Sequence, residues 1–147
     1  KFFMIGNGQN IKSMAYVENV AAFLVFACSF DNGYHVYNYI DKPDLDMNEL
    51  VSKSKQILFG KEKVGIRLPA WLGNSLGIFA DILAKILGRT LPISSTRVKK
   101  FMSTTQFSSS ISNTSFVPPV KIEDGLENTL KYEFIEDNEK KRKFYSE

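Results

Sequence analysis

Apolar and polar residues follow one another along the chain in two spacings, one typical of helices and one typical of short strands. Residues 17–29 are apolar on nearly every side, which predicts a helix buried between other elements. Residues 46–60 predict an amphipathic helix, because Asp46 and Glu49 form a capping-box pattern at its start. Gly60 can supply the left-handed residue that ends this helix.

Three further helices are predicted in the second half of the chain. The longest covers residues 69–87 and opens on a proline, which suits a first helical turn. A short helix covers residues 92–101, with Ser94 or Ser95 at its N-cap, and a last one covers residues 121–133. The face of the longest helix that we predict to point inward consists of Leu72, Leu76, Phe79, Leu83, Ile86 and Leu87.

Short strands are predicted between these helices. Aromatic and β-branched residues at 34–40 favour a strand, and shorter strands are predicted at 2–5, 64–68 and 105–107. A Ser-rich turn or short helix is expected at 108–114. The order of helix, turn and strand is that of an α/β fold, here mostly helical with a few short strands.

Composition then narrows the classes of function. The 147 residues are 44% apolar and 24% charged, with a net charge of +3 and no basic patch with interleaved aromatics, so nucleic-acid binding is not expected. The one cysteine, Cys28, excludes an intramolecular disulfide and fits a reducing, cytoplasmic compartment. The one histidine, His35, has no ligand-spaced neighbours, so we predict no metal site. No stretch reaches the roughly 20 apolar residues that span a bilayer, so we predict no membrane contact.

The start of the chain predicts that it belongs to a longer protein. Lys1 is followed at once by the strand-like residues 2–5, with no signal segment before them. Without the rest of such a protein, helix 17–29 and strand 34–40 would lose a face of burial. We therefore expect the chain alone to self-associate, or residues 1–40 to repack.

Three motifs follow one another over almost the whole chain. They are Gly6-Asn7-Gly8 with Met14-Ala15-Tyr16-Val17-Glu18-Asn19-Val20, then Tyr37-Asn38-Tyr39-Ile40-Asp41-Lys42-Pro43 with Asn48-Glu49-Leu50, then Phe116-Val117-Pro118 with Lys121-Ile122-Glu123-Asp124-Gly125-Leu126 and Thr129. In this order and spacing they resemble the C-terminal part of the extended short-chain dehydrogenase/reductase family, the NAD-dependent nucleotide-sugar epimerases and dehydratases.

The resemblance implies an α/β, extended Rossmann-type fold of which this chain forms the C-terminal part. Residues 1–45 would end a Rossmann domain that binds NAD or NADP, and residues 46–135 would form the lobe that binds a nucleoside-diphosphate sugar. Residues 136–147 would form a charged, disordered tail. The missing N-terminal Rossmann half is then the chain's first partner, and a homo-oligomer is expected.

The resemblance also implies a reaction for the parent protein, a UDP-glucose 4-epimerase-like isomerisation. A 4,6-dehydratase or a 4-keto reductase of the same family is an alternative, and so is a noncatalytic binding module. In the family, the nicotinamide removes a hydride from the sugar while the Tyr of a Tyr-x-x-x-Lys motif takes the hydroxyl proton. None of the six tyrosines here has Lys four residues later, and no third glycine follows Gly8. We therefore predict that this chain alone has no catalytic residue, binds no cofactor and is inactive.

Four residues are candidates for contact with the substrate diphosphate. Arg97 stands where the family often places a basic residue before the last short strand, and it is the leading candidate. Lys12 stands where many members have an Arg that touches the phosphates, and Ser13 and Met14 would neighbour the same ligand. The alternative for both cations is a solvated surface position.

Two more residues are candidates for other parts of the site. Trp71 could lie over the substrate pocket, with a place in the core or at the lobe interface as the alternative. Asn38 could face the edge of the cofactor, with a turn or packing role as the alternative.

Overall fold

A computed structural model describes residues 3–136 as helices packed on two small sheets. The strands are β1 (Met4–Ile5), β2 (Ile11–Met14), β3 (Asp41–Asp46) and β4 (Arg67–Leu68). The α-helices are α1 (Val17–Ala27), α2 (Met47–Phe59), α3 (Ala70–Leu87), α4 (Ser95–Met102) and α5 (Ile122–Phe134), and a 3-10 helix covers Ile111–Asn113. About half of the described residues are helical, so the predicted mixed α/β class with a few short strands is confirmed.

Each sheet has two strands. β1 and β4 pair in parallel, with Ile5 opposite Leu68, so the carboxyl ends of both strands lie at the same edge. β2 and β3 pair in antiparallel, with Ile11 opposite Asp46. Lys12 on β2 also forms a parallel bridge to the segment after α4. Within the described residues, neither sheet is the large parallel sheet of a complete Rossmann domain.

α2 begins and ends as its sequence predicts. The Glu49 N–H donates to Asp46 Oδ1 at 2.8 Å, and the Asp46 N–H donates to Glu49 Oε2 at 3.2 Å, which completes the capping box. Gly60 ends the helix in the left-handed conformation, with φ of 64°. These signals are local, so the sequence alone is enough to place both ends of α2.

α3 has the predicted length but not the predicted inward face. Gly73 and Gly77 are buried instead, and a Cβ at Gly77 would lie 2.8 Å from the Cα of Ser95. The small residues allow α4 to approach the α3 backbone, so the larger side chains turn outward. The residues predicted to be inward that are exposed are Leu76, Phe79, Leu83, Ile86 and Leu87, and Leu72 is half-buried.

α1 is buried on one side only, which corrects the prediction that it is enclosed. Asn19 and Phe23 face the interior, whereas Val17, Leu24 and Val25 are exposed. A helix that is apolar all round needs partners on several sides. Within residues 3–136, α1 has packing partners on one side.

The predicted strand at 34–40 is wrong. This segment has no ladder partner, because its backbone groups bind serine side chains from the segment before the 3-10 helix. The Asn38 N–H donates to Ser110 Oγ at 2.7 Å, and the Ile40 N–H donates to Ser109 Oγ at 3.3 Å. The strand forms directly after this segment, as β3. β3 is a polar stretch that the sequence does not mark as a strand, and its pairing with β2 selects it.

Segment 34–40 contributes two tyrosine rings to an aromatic cluster on α1. Phe23 of α1 is the centre of the cluster, with its ring centroid 5.3 Å from that of Phe116. The other rings that lie within 6.5 Å of it are Phe26, Phe30, Tyr37 and Tyr39. Tyr37 and Tyr39 of this segment therefore pack as a loop against α1, whereas Tyr34 and Val36 are exposed.

The remaining predictions are met in part. Strand 64–68 shortens to β4, strand 2–5 to β1, and strand 105–107 to a single bridging residue. The serine-rich stretch contains the 3-10 helix, and Ser94 is the N-cap of α4. Residues 137–147 of the predicted tail lie outside the described residues.

Candidate functional site

A cleft opens at the carboxyl ends of the parallel strands β1 and β4. It has a volume of about 620 Å³. Its lining residues come from three parts of the chain and are Ile5, Gly6, Asn7, Asn10, Arg67, Leu68, Pro69, Ala70 and Met102. Ligands of α/β folds bind at this end of parallel strands, so we call it the Arg67 cleft and take it as the candidate site.

Arg67 is the cation of this cleft. Its Nη1 donates to the Asn7 carbonyl oxygen at 2.7 Å, and its Nη2 donates to Asn48 Oδ1 at 2.8 Å. These bonds fix the plane of the guanidinium. Three of its five N–H bonds have no protein acceptor among residues 3–136 and can bind a ligand.

The first turn of α3 supplies further donors beside Arg67. Pro69 is its N-cap and makes no side-chain cap, and the first N–H bonded back into the helix is that of Gly73, which donates to the Pro69 carbonyl at 3.1 Å. The N–H groups of Ala70, Trp71 and Leu72 have no acceptor in residues 3–136. An uncapped helix N-terminus next to a guanidinium favours an anion.

The Gly6–Gly8 turn holds the opposite wall of the cleft. Gly8 has φ of 70°, which L side chains rarely adopt, and a Cβ here would displace the Asn48 side chain. The Asn48 side-chain amide donates to the Asn7 carbonyl at 3.1 Å, the same oxygen that Arg67 contacts. A glycine at position 8 therefore leaves room for Asn48, which in turn holds the Arg67 guanidinium.

The residues predicted for the substrate diphosphate on β2 lie apart from this cleft. Lys12 Nζ donates to the carbonyls of Lys100 and Ser103 at 2.9 and 2.6 Å, at the C-terminal end of α4. Ser13 Oγ donates to Asp44 and accepts the N–H of Phe107. These contacts join β2 to β3 and to the segment after α4, with Met14 half-buried on the same strand. The predicted ligand roles of Lys12, Ser13 and Met14 stay predictions.

Arg97, Trp71 and Asn38 also lie outside the lining of the Arg67 cleft. Arg97 is exposed at the start of α4, where its Nη1 donates to the Pro92 carbonyl at 2.9 Å. Trp71 is 69% exposed in the first turn of α3, next to the cleft wall. Asn38 Nδ2 donates to the Ser108 carbonyl at 2.6 Å. The structure therefore does not bring the six predicted residues together. Arg97 lies in the first turn of α4, whereas Lys12 binds carbonyls at the other end of that helix.

Asp44, a residue of β3, is a charged node of the β2–β3 sheet. Its carboxylate accepts from Lys42 at 2.6 Å, from Ser13 at 2.8 Å and from Gln106 at 3.0 Å. Burial raises the pKa of Asp44, but the three hydrogen bonds and the Lys42 charge outweigh it, so the pKa lies below 3.8. The node ties β2, β3 and the segment after α4 together.

Asn19 and Asp41 form a second, deeper node. Asp41 accepts from the Tyr16 N–H at 2.7 Å, from Asn19 Nδ2 at 3.0 Å and from the Tyr39 hydroxyl at 2.9 Å. Burial, and then the Asp41 carboxylate, raise the pKa of Tyr39 far above its ordinary value. Tyr39 therefore stays protonated at neutral pH and donates to Asp41, which makes it a structural group and no proton acceptor.

Sequence reasoning missed Arg67, although a signal was present. The sequence predicts a strand at 64–68 that runs directly into a helix at Pro69, and a cation at such a junction faces a helix N-terminus. No sequence pattern indicates that Asn7 and Asn48 bind the Arg67 guanidinium. These contacts depend on how β1 and α2 meet in space.

The described residues do not fit the dinucleotide that the resemblance implies. A dinucleotide loop lies between a strand and a helix, whose N-terminus faces the pyrophosphate. Here Gly6 and Gly8 follow β1, but the next element is strand β2. Residues 3–136 also contain no group of three or more His, Cys, Asp or Glu side chains that could hold a metal ion.

The fold is of the mixed α/β kind, and its cleft presents a guanidinium beside the uncapped first turn of a helix. Comparison with known proteins finds a relative in Escherichia coli O157:H7, the N-acetyl-alpha-D-glucosaminyl-diphospho-ditrans,octacis-undecaprenol 4-epimerase. It is 47% identical over 137 residues. The match covers 92% of this chain but 41% of that protein, so the chain spans less than half the length of its relative. No protein-family model matches the chain, and no solved structure does.

Proposed function

We propose that this chain is the substrate-binding part of an NAD(P)-dependent 4-epimerase that acts on a sugar carrying a diphosphate. The observation that carries the proposal is the 47% identity over 137 residues with a 4-epimerase. The name of that relative favours a 4-epimerase over the dehydratase, reductase and binding-module alternatives. In this proposal the redox cofactor is bound by segments outside these 147 residues.

The substrate of the relative and the substrate implied by the motifs share one chemistry. The relative's name gives an N-acetylglucosamine joined through a diphosphate to undecaprenol, whereas the motifs imply a nucleoside diphosphate in place of the lipid. Both substrates present a sugar and a diphosphate with at least two negative charges. The diphosphate is therefore the part of the ligand for which this chain needs donors.

The Arg67 cleft supports this role for three reasons. The guanidinium can contact two phosphate oxygens at once, which an ammonium group cannot. The uncapped first turn of α3 adds N–H groups and the positive end of a helix dipole. Asn7 and Asn48 hold the guanidinium in place before a ligand arrives, which reduces the entropy lost on binding.

The proposal is tested by titrating the chain with UDP-N-acetylglucosamine, UDP-glucose and N-acetylglucosaminyl-diphospho-undecaprenol in detergent, using calorimetry. We expect Arg67→Ala to weaken binding of the preferred ligand about tenfold to a hundredfold, since a charge-assisted hydrogen bond contributes about 1.5–3 kcal/mol. Arg67→Lys keeps the charge and should recover part of the affinity. Arg89→Ala, an exposed arginine beyond α3, is the matched control and should bind normally.

The same titration decides between the cleft and the residues chosen by resemblance. Arg97→Ala and Lys12→Ala form two further arms. A loss of affinity in these two variants, with normal binding by Arg67→Ala, would move the diphosphate to α4 and contradict the cleft. Thermal unfolding of Lys12→Ala separates a lost ligand contact from a weakened α4 terminus, since Lys12 binds carbonyls there.

A further inference from the structure

Asn10 lines the Arg67 cleft with a side-chain amide whose orientation is fixed by the fold. Its Nδ2 donates to the Phe101 carbonyl at 2.8 Å and to the Ser103 carbonyl at 3.2 Å, at the end of α4. Carbonyl oxygens only accept hydrogen bonds, so the nitrogen of the amide must face them. Asn10 Oδ1 therefore points away from the end of α4.

Asn10 Oδ1 has no hydrogen-bond donor among residues 3–136. It is also not covered by protein atoms, because the one buried side-chain polar atom without a partner in this part of the chain belongs to Asn74. Asn7, the other asparagine of the lining, differs, since its Oδ1 accepts the Gln9 N–H at 3.1 Å. Asn10 Oδ1 is thus the side-chain oxygen that the lining offers to a ligand.

The cleft combines this neutral acceptor with the donors of Arg67. Two N–H bonds of Arg67 are used by Asn7 and Asn48, and the other three are open to a ligand. None of the nine lining residues is Asp or Glu. An amide oxygen accepts a hydrogen bond without adding the negative charge that would repel a diphosphate. A few placed polar groups in an otherwise apolar lining are typical of a small-molecule site.

The chemistry of Asn10 Oδ1 calls for a donor on the ligand. The ionised oxygens of a diphosphate only accept hydrogen bonds, so the donor must belong to a group joined to the diphosphate. In the substrate that the relative's name gives, the N-acetylglucosamine has hydroxyl and amide donors, whereas the undecaprenyl chain has none. In a nucleoside-diphosphate sugar, the nucleoside has donors as well.

We propose that Asn10 determines specificity in the Arg67 cleft, where its Oδ1 accepts a hydrogen bond from a hydroxyl or amide N–H of a group joined to the diphosphate. This inference rests on the proposed function, because a diphosphate bound to Arg67 brings that donor into the cleft. Arg67 binds the charge that all diphosphates share, and Asn10 discriminates among them. A ligand without the donor leaves the acceptor unpaired and binds more weakly.

The test is a thermodynamic cycle measured by calorimetry at about pH 8, where terminal phosphates are ionised. The ligands are UDP-N-acetylglucosamine and UDP, and, in detergent, N-acetylglucosaminyl-diphospho-undecaprenol and undecaprenyl diphosphate. Asn10→Ala should lower the affinity for each sugar-bearing ligand about threefold to tenfold more than for its sugar-free counterpart. The extra charge of the sugar-free ligands cancels, because the unchanged chain and the variant bind the same four ligands.

The four ligands also identify the source of the donor. An equal loss for UDP and UDP-N-acetylglucosamine in Asn10→Ala, with undecaprenyl diphosphate unaffected, supports the proposal with the nucleoside as donor. An equal loss for all four ligands overturns it, because Asn10 then acts only through the structure of the cleft. No loss for any ligand overturns it too.

A matched control separates the ligand contact from the anchoring of α4. Thr104→Val removes the hydrogen bond that the Ile11 N–H donates to Thr104 Oγ1 at 3.3 Å, which joins the same two segments as the Asn10 amide. Thr104 does not line the cleft, so this variant should keep the ligand preferences of the unchanged chain. The same change of preference in Thr104→Val as in Asn10→Ala would overturn the proposal.

Nuclear magnetic resonance of the unchanged chain makes the test independent of how well a variant folds. The side-chain carbonyl carbon of Asn10 should shift when UDP-N-acetylglucosamine saturates the chain, and it should stay in place with undecaprenyl diphosphate. A resonance that moves with neither ligand, although both bind, overturns the proposal.

The outcomes separate this proposal from the proposed function. Binding that Arg67→Ala weakens, with an equal loss for all four ligands in Asn10→Ala, contradicts the role of Asn10 alone. A preference that depends on Asn10, in a chain that supports no epimerisation when joined to the rest of its relative, contradicts the proposed reaction alone. No binding of any ligand contradicts both.

Discussion

Asn19 and Asp41 are the buried polar side chains on which three distant segments converge. Asn19 Nδ2 donates to Asp41 at 3.0 Å and to the Val120 carbonyl at 2.8 Å, and its Oδ1 accepts the Val120 N–H at 3.0 Å. Every polar atom of the Asn19 side chain thus has a partner although the residue is 0% exposed. An amide satisfies this arrangement because it both donates and accepts, which a carboxylate cannot do.

Asn19→Asp should therefore lower the free energy of unfolding by about 3 kcal/mol or more at pH 7, because it places a second buried carboxylate against Asp41. Adding the reciprocal change at Asp41 should restore part of the lost stability. In Asn19→Asp with Asp41→Asn, the new amide can donate to the new carboxylate, so part of the loss should return, although the Val120 carbonyl still lacks its donor. Chemical denaturation of the single and double variants measures both. A stable single variant, or a double variant that is no better, would contradict the contact.

Because the pKa of Asp44 is lowered in the folded chain, we predict that its contribution to stability depends on pH. Asp44→Asn should cost about 1–2 kcal/mol at pH 7, because it removes the charge that accepts from Lys42, Gln106 and Ser13. The pKa of Asp44 is lowered in the folded chain, so its contribution is complete above 3.8 and is lost as the pH falls through the lowered pKa. The difference between variant and parent should thus shrink below pH 3.8.

Denaturant titrations at pH 7 and in steps below pH 3.8 check this. The exposed Asp31→Asn should change stability by less than about 0.5 kcal/mol at every pH. A difference for Asp44→Asn that stayed constant down to the lowest pH would show that the carboxylate charge plays no part.

Residues such as these mark a limit of sequence reasoning. The sequence favours a local role for Asn19, at the start of its helix, because Asn side chains often bind nearby backbone. Its actual partners are 22 and 101 residues away. The identity of an amide indicates that it will be hydrogen-bonded when buried, but only the fold shows to what.

At the scale of the elements, α2 and α3 show what can be predicted and what cannot. The ends of α2 and α3 follow from local signals, namely the capping box of α2 and a left-handed glycine after each helix. The buried face of α3 does not follow from local signals, because hydrophobicity favours the leucines. The close approach of α4 requires the glycines to face it, and this packing determines which face of α3 is buried.

Gly77→Ala tests this packing. Alanine favours a helix by about 1 kcal/mol over glycine, yet its Cβ would meet the Ser95 backbone at 2.8 Å. Overpacking costs about 1–3 kcal/mol, so we expect a net destabilisation of about 1–2 kcal/mol. Ser75→Ala on the exposed side of α3 should change stability by less than about 0.5 kcal/mol. Thermal unfolding compares the two, and a stabilised Gly77→Ala would show that α4 does not pack there.

At the scale of the whole molecule, the Arg67 cleft depends on contacts between segments that the sequence leaves unrelated. Its walls come from the turn after β1, the junction of β4 and α3, and the end of α4. The mixed α/β class was predictable from the order of the elements. The cleft was not, because parallel pairing of β1 with β4 joins residues more than 60 positions apart.

The most direct test of the epimerase proposal is a chimera of the relative from Escherichia coli O157:H7, in which the 137 matching residues of this chain replace their counterparts. We predict that the chimera interconverts N-acetylglucosaminyl- and N-acetylgalactosaminyl-diphospho-undecaprenol, and that Arg67→Ala within it lowers the rate at least about tenfold. A chimera that unfolds as cooperatively as the relative but shows no epimerisation would contradict the proposed function of this chain.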